Sequence, residues 1–229
     1  MGGKAISTCK PVAQADVSTI IENVKHLLPK QLLPNLYENI GSAGYKEYSG
    51  DIDLIVEADD VVSLFNSKSL FNSNEVLFAK KALKGYFEAE GIEANVNGRN
   101  VSIGVPYSNG YAQVDIMVIK DADLVAPYHQ HGPRGMYNDP KFKGNDVFIV
   151  MSSIAKYLGM KFDPFGAKLS RRDDNTVVAR TRKDVAQILL GQTATEDDLN
   201  SVETIVTALK DDCYSQDKLA DAQATLGAF

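Results

Sequence analysis

The sequence predicts an α+β fold, with a mixed or antiparallel sheet, flanking helices and a small C-terminal helical region. Three observations predict it: apolar residues recur at helical spacing near both ends of the chain, β-branched stretches occupy its middle, and tight-turn signals separate consecutive strands. The composition is that of a folded protein, because 44% of the 229 residues are hydrophobic and 24% are charged. These values argue against global disorder.

In the N-terminal half, the sequence predicts two helices, a strand and a third helix, followed by a meander of three strands. Apolar residues within 14–29 recur at helical spacing, and a second helix is predicted over residues 32–40, ending at Gly41. A strand at 52–56 is followed by an amphipathic helix at 75–90. Three strands complete this half, at 92–97, 100–105 and 112–119, with Asn97-Gly98 and Ser108-Asn109-Gly110 as hairpin-type turns.

The C-terminal half begins with the least regular stretch of the chain, residues 121–144. A helix is predicted over 145–158, and a strand pair over 165–170 and 176–180, joined by a turn at Asp173-Asp174-Asn175. The remaining residues predict three helices, at 182–190, at 196–210 with Thr195 as N-cap and Asp198 at the third helical position, and at 215–226.

The sequence predicts two domains, a catalytic domain over residues 1–191 and a helical tail over 192–229. The tail carries an apolar stripe at helical spacing, formed by Leu199, Val202, Ile205, Val206 and Leu209. Packing of this stripe on the catalytic domain is the favoured interpretation. Self-association through these C-terminal helices, or contact with a substrate, is the alternative.

Composition argues against several classes of protein. Apolar runs are far too short to cross a bilayer, and charged residues interrupt the N-terminus where a signal segment would lie, so no membrane partner is expected. Cys9 and Cys213 lie in opposite terminal segments and form no disulfide framework or zinc motif, which favours a cytoplasmic protein. The net charge of −6 argues against an extended grip on nucleic acid, although six cations between Lys168 and Lys183 form a local basic cluster.

Three aspartates form the central functional signal. Asp51 and Asp53 are two residues apart at the start of a predicted strand, so they point to the same face. Such a pair repels itself unless a divalent cation lies between the two carboxylates, and oxygen ligands suit Mg²⁺ or Mn²⁺. Asp115 interrupts an otherwise apolar strand, where an unpaired acid is costly to bury. If the two strands are neighbours, the three carboxylates converge and can hold two cations for phosphoryl displacement.

A loop before the first aspartate predicts a phosphate-binding turn. Gly41 and Ser42 follow a predicted helix, and Gly50 precedes a strand. Backbone N–H groups in such a turn can face a triphosphate, with Ser42 and Ser49 as further donors and Lys46 as a counter-charge. A single Gly-Ser pair is common in ordinary turns, so the prediction depends on the whole pattern.

Other roles for these residues remain as alternatives. Asp51 could cap a strand, and Asp115 could be an acid whose hydrogen bonds are satisfied in the core. A transition metal on His129 and His131 is a further interpretation, but an i, i+2 pair without a nearby Cys or Glu is weak evidence. Loop residues near an acceptor are the favoured role for these two histidines.

The segment from Gly41 to Asp53, Gly-Ser-Ala-Gly-Tyr-Lys-Glu-Tyr-Ser-Gly-Asp-Ile-Asp, resembles the signature of family X DNA polymerases in the polymerase β superfamily. Val114-Asp115-Ile116 is similar to the strand with the third carboxylate of that family. Weaker similarities extend the resemblance over residues 36–191. The opening five residues are similar to those of stand-alone superfamily members encoded by phages or viruses.

This resemblance implies a polymerase β-like nucleotidyltransferase palm. It also implies a two-ion site for Mg²⁺ or Mn²⁺ held by Asp51, Asp53 and Asp115. The residues that would line the sugar and base of the nucleotide are Phe142, Gly144 and Asp146.

The chain also departs from the family pattern. Gln113 stands where the polymerases often carry an arginine, and Ile149 lies near the position of an asparagine that contacts the base. The N-terminal regions with which those polymerases grip DNA have no counterpart among the residues before Gly41.

We therefore expect an enzyme that transfers a nucleoside monophosphate from an NTP to an acceptor hydroxyl and releases pyrophosphate. The alternative is a non-catalytic nucleotide-binding, virion or regulatory protein that retains the fold. The acceptor is not identified by the sequence. A small molecule, a protein or the end of a structured RNA is favoured over duplex DNA.

Overall fold

The structure, a computed structural model, describes residues 4–44, 46–65, 75–130 and 144–210, together with residues 217, 218 and 220. Helices and a mixed sheet occur together, which confirms the predicted α+β class. Contacts divide the chain into two compact units, residues 1–122 and 123–229. The boundary predicted from the sequence, after Gly191, lies elsewhere. It concerns a catalytic domain and a tail, and it stays a prediction. No helix in the described ranges is long and apolar enough to span a membrane.

The first unit contains one five-stranded sheet and one short strand pair. Its α-helices are α1 (Val17–Leu27), α2 (Ala58–Leu64) and α3 (Glu75–Ala89), with 3-10 helices at Gln14–Asp16 and Lys30–Asn35. Its strands are β1 (Val12–Ala13), β2 (Tyr37–Ile40), β3 (Tyr48–Ser49), β4 (Ile52–Glu57), β5 (Ala94–Asn97), β6 (Asn100–Tyr107) and β7 (Gly110–Ile119).

The five-stranded sheet is mixed, in the order β2-β4-β7-β6-β5. Strands β5, β6 and β7 form the predicted antiparallel meander. Strand β7 then pairs with β4 in parallel, and β2 pairs with β4 in the antiparallel sense. The two central strands of the sheet are therefore β4 and β7, which carry Asp53 and Asp115.

Side-chain alternation gives the sheet two different faces. One face is apolar and packs with α1 and α3 in a continuous core. Its members on the central strands are Ile52, Leu54, Val56, Ala112, Val114, Ile116 and Val118. The opposite face carries Asp53, Gln113 and Asp115 between buried apolar residues such as Ile55 and Met117. Because the apolar face is buried in the core, Asp53, Gln113 and Asp115 lie on the opposite face of the sheet.

The helix predicted over 32–40 is wrong, since this segment forms a 3-10 helix and then β2. Pro34 lacks an N–H donor and disfavours the α conformation at Leu33, so both effects weaken an α-helix at this position. Residues after Pro34 instead satisfy their backbone groups by pairing with β4. Helix α2, which follows β4 directly, was not predicted.

The second unit contains a three-stranded antiparallel sheet and helices. The strands are β8 (Met160–Asp163), β9 (Lys168–Arg171) and β10 (Val177–Ala179), in the order β10-β9-β8. The α-helices are α4 (Ala122–His129), which begins at the boundary, α5 (Gly144–Tyr157), α6 (Arg182–Leu190) and α7 (Val202–Lys210), with a 3-10 helix at Glu196–Leu199. The predicted hairpin and the helices at 145–158 and 182–190 are confirmed, and β8 is an additional strand.

Part of the stretch predicted to be irregular is helical, because α4 spans its beginning. The carboxylate of Glu57 accepts hydrogen bonds from the N–H groups of Asp121, at 3.1 Å, and Ala122, at 2.7 Å. A carboxylate at a helix N-terminus stabilises the helix by accepting its unpaired donors. This contact joins residues far apart in sequence, so local patterns did not reveal it. The rest of that stretch, 131–143, lies outside the described residues.

The capping box predicted at Thr195 and Asp198 is present. The helix behind it is interrupted, however, since a 3-10 turn ends at Leu199 and α7 begins at Val202. Most of the apolar stripe is buried, and α7 contacts α5 and α6. Packing within its own unit therefore accounts for the stripe. The helix predicted at 215–226 lies mostly outside the described residues.

Arg182, a member of the predicted basic cluster, is a structural residue. Its guanidinium donates to the carbonyl oxygens of Pro127 and Glu196 and, at 2.7 Å, to Oδ1 of Asn200. It also lies 5.2 Å from the centre of the Tyr128 ring. Arg182 therefore links α6 to α4 and to the segment that begins at Glu196. Its guanidinium is not a free surface cation.

Candidate functional site

The parallel pairing of β4 with β7 brings two of the predicted carboxylates together. Asp53 and Asp115 are direct partners in the register of the two strands. Paired residues on adjacent strands point to the same face, so both side chains lie on the polar side of the sheet. Asp51 lies immediately before β4, two residues from Asp53.

Asp115 is held by two side-chain amides. Its Oδ1 accepts a hydrogen bond from Nε2 of Gln113 at 2.8 Å, and its Oδ2 accepts one from Nδ2 of Asn100 at 3.2 Å. Both donors are neutral, so they orient the carboxylate without cancelling its charge, and each oxygen retains a further lone pair. These amides were not assigned a role from the sequence, although strand alternation places Gln113 on the face of Asp115.

The surroundings of Asp53 disfavour its charged form. Burial, together with the smaller effects of the negative charges of Asp51 and Asp115, raises the pKa of this carboxyl from an ordinary value of 3.8 to about 8. The three aspartates therefore interact electrostatically, with Asp53 at the centre. A concentration of buried negative charge of this kind is relieved by a bound cation or by a proton.

The raised pKa predicts a pH dependence of the stability of the metal-free protein. Between about pH 4 and about pH 8, folded Asp53 holds a proton that the unfolded chain has released. The free energy of unfolding should therefore fall as the pH rises through this range and level off above it. Urea titrations in a chelator should show that the advantage of Asp53→Asn over the wild type grows with pH. A difference that is constant across this range would contradict the raised pKa.

Gly41 approaches Asp53 so closely that no side chain fits between them. It has φ of +70°, and a Cβ added to it would lie 2.3 Å from Oδ2 of Asp53. Gly41 follows Ile40, which is itself the register partner of Asp53 on β2. The turn that begins at Gly41 therefore contacts the side chain of Asp53, and glycine is required at this close approach.

The other residues of the predicted phosphate loop lie between Gly41 and the start of β4. Ser42 and Gly50 are partly buried, and Lys46 is exposed. Ser49 is buried on β3, and its hydroxyl has no hydrogen-bond partner among the described residues. A buried hydroxyl without a partner is unusual, and a ligand oxygen would satisfy it.

Two of the residues predicted to line the nucleotide lie in the second unit, and their role stays a prediction. Asp146 lies in the first turn of α5, and Gly144 begins that helix, both in the second unit. Phe142 lies outside the described residues.

His129 is not arranged as a metal ligand. It is buried, stacks on Phe165 with ring centres 4.8 Å apart, and its Nε2 lies 3.3 Å from the carbonyl oxygen of Pro164. These contacts give it a packing role. His131 lies outside the described residues.

The aspartate group fits a divalent cation in its chemistry but is not a preassembled metal site. Among the described residues, no three His, Cys, Asp or Glu side chains are arranged to hold a metal ion. The donors are nevertheless those that Mg²⁺ prefers, and Asp51 and Asp115 both act on the charge of Asp53.

Comparisons with known proteins give no family assignment. No protein-family model matches the chain, and a search of curated proteins found no match.

Proposed function

We propose that this protein is a metal-dependent nucleotidyltransferase, which transfers a nucleoside monophosphate from an NTP to an acceptor hydroxyl. The observation that supports this proposal best is the register of β4 and β7, which pairs Asp53 with Asp115 on one face of the sheet. Two carboxylates from adjacent central strands, with a third at the mouth of one strand, are suited to phosphoryl transfer.

Each part of the site has a separate role in this proposal. The metal ion, Mg²⁺ or Mn²⁺, would be held by Asp51, Asp53 and Asp115. It would neutralise charge on the triphosphate and make the acceptor hydroxyl more acidic. The turn from Gly41 to Gly50 would direct backbone N–H groups and the Ser49 hydroxyl at the phosphates. Gln113 and Asn100 would keep Asp115 oriented during the reaction.

The reaction is a substitution at the α-phosphorus. The acceptor oxygen forms a bond to this phosphorus, the bond to the bridging oxygen of the β-phosphate breaks, and pyrophosphate leaves. We assign the proton of the hydroxyl to the carboxylate of Asp115, because each of its oxygens accepts one amide hydrogen bond and retains a further lone pair.

A second candidate is a non-catalytic protein that binds nucleotides on the same sheet. The two candidates differ in turnover, since only the enzyme releases pyrophosphate.

The test uses the purified chain with each α-labelled NTP, Mg²⁺ or Mn²⁺, and separate pools of small molecules, proteins and structured RNA. We expect the label to enter one pool and pyrophosphate to appear in equal amount. Asp115→Asn should abolish both signals. Binding of an NTP without release of pyrophosphate under any of these conditions would favour the non-catalytic candidate.

Plain duplex DNA should bind weakly. The chain has a net charge of −6, and Arg182 of its basic cluster is used internally. We therefore expect a shallow dependence of affinity on salt, confined to the exposed cations between 168 and 183, because the slope follows the number of phosphates neutralised. Gel-shift assays over a salt series measure this slope. Tight binding with a steep slope would instead support a gap-filling polymerase.

A further inference from the structure

A segment near the N-terminus lies on the face of the sheet that carries the aspartates. Residues 5–14 form this segment, which we call the N-terminal strap. A Cβ added to Gly104 would meet Cγ2 of Ile6 at 3.4 Å, so Ile6 lies against the polar face of β6. Ile6 is itself buried, and the N–H of Lys10 donates to the carbonyl oxygen of Tyr111 at 2.9 Å. The strap is thus packed on the sheet by both apolar and backbone contacts.

Gln113 is the polar link between the strap and Asp115. Its Oε1 accepts the backbone N–H groups of Ala5, at 2.9 Å, and Ile6, at 3.2 Å. Its Nε2 donates to Oδ1 of Asp115 at 2.8 Å. Because the side chain is 1% exposed, flipping the amide would leave buried donors unpaired. The two strap donors therefore hold the NH₂ group of Gln113 toward Asp115.

The far end of the strap contacts the predicted phosphate loop. Strand β1 pairs with β3, so that Val12 lies opposite Ser49. The backbone N–H of Gln14 donates to the carbonyl oxygen of Glu47 at 2.9 Å, and its Nε2 donates to that of Gly44 at 2.8 Å. One continuous segment consequently touches the loop before Asp51 and the residue that orients Asp115.

We infer that the N-terminal strap is a positioning element of the site, acting on Asp115 through the amide of Gln113. The identity of the ligand in this inference rests on the proposed function. Residues that hydrogen-bond to metal ligands commonly change metal affinity about 10–100-fold when removed. Gln113 hydrogen-bonds both to the strap and to Asp115, so it is the direct link between them.

The test measures Mn²⁺ binding to the full chain by the loss of the electron paramagnetic resonance signal of free Mn²⁺. Gln113→Met removes the amide while keeping an unbranched side chain of similar length. Ile6→Ala loosens the strap and leaves every polar group in place, so it also serves if Gln113→Met does not fold. We expect each variant to weaken Mn²⁺ binding about 10–100-fold. The double variant should bind no more weakly than Gln113→Met alone, because both changes break the same link.

Two matched variants separate this effect from loss of stability. Ile20→Ala removes the same buried side chain from α1, and Gln192→Met makes the same change at an exposed position. Both should bind Mn²⁺ as the wild type does.

The two hypotheses fail in different ways. If the wild-type protein binds Mn²⁺ while Ile6→Ala and Gln113→Met bind it equally well, the role of the strap is overturned and the metal site stands. Additive losses in the double variant would also overturn the link through Gln113. Absence of Mn²⁺ binding by the wild type would overturn the proposed metal site, and with it the role given to the strap.

Discussion

Asp53→Asn should reduce nucleotidyl transfer to the background of the assay while making the metal-free protein more stable. An amide removes the charge that burial and the two neighbouring carboxylates disfavour, so the folded state loses a repulsion. The same change removes a central ligand of the proposed metal site. Thermal unfolding of the metal-free protein measures the gain in stability, because each kcal/mol gained shifts the Tm of a chain of this size by about 2–4 °C.

The two effects are separated by adding metal and nucleotide. Mn²⁺ with an NTP should raise the Tm of the wild type, since a ligand that binds only the folded state stabilises it, and should leave Asp53→Asn unchanged. Asp59→Asn is the matched control, because Asp59 is exposed in the first turn of α2. It should keep both the shift and the activity. A Tm shift in Asp53→Asn as large as that of the wild type would remove Asp53 from the metal site.

Gly41→Ala should lower activity about 100-fold, because misplacing a reacting group by about 1 Å can reduce the rate by that factor. The new Cβ would lie 2.3 Å from Oδ2 of Asp53, so the carboxylate must rotate away from the turn. Alanine at a positive φ also costs about 1–2 kcal/mol of stability. Steady-state kinetics with Mn²⁺ and the NTP identified by labelling would measure the loss of activity.

Gly91→Ala provides the control for backbone strain. Gly91 has φ of +74°, close to that of Gly41, but a Cβ there would meet nothing within 4 Å. Both variants should lose similar stability, and only Gly41→Ala should lose activity. Equal losses of activity in the two would show that strain, rather than the contact with Asp53, explains the effect.

The sequence by itself determined the elements with strong local patterns. Residues of α1 and α3 repeat at helical spacing, and the turns at Asn97-Gly98 and Ser108-Asn109-Gly110 mark the meander that β5, β6 and β7 form. The capping box at Thr195 was likewise readable, because its two partners are three residues apart. Each of these signals depends on residues close together in the chain.

Because such signals involve only neighbouring residues, they could predict the site only in part. Spacing placed Asp51 and Asp53 at the start of one strand, and the apolar run around Asp115 marked a second. Only the structure decided that these strands are neighbours and parallel, with Asp53 opposite Asp115. Strand pairing depends on which faces are buried by α1 and α3, and no short pattern encodes that choice.

Tertiary structure also decided three features that local patterns did not contain. The segment after Pro34 became a strand because β4 offered it hydrogen bonds, and α4 formed where Glu57 could cap it. Gln113 became the partner of the strap through contacts between residues more than 100 positions apart in the chain. In each case a buried polar group had to find a partner, and the energy of leaving it unpaired selected one that is distant in sequence.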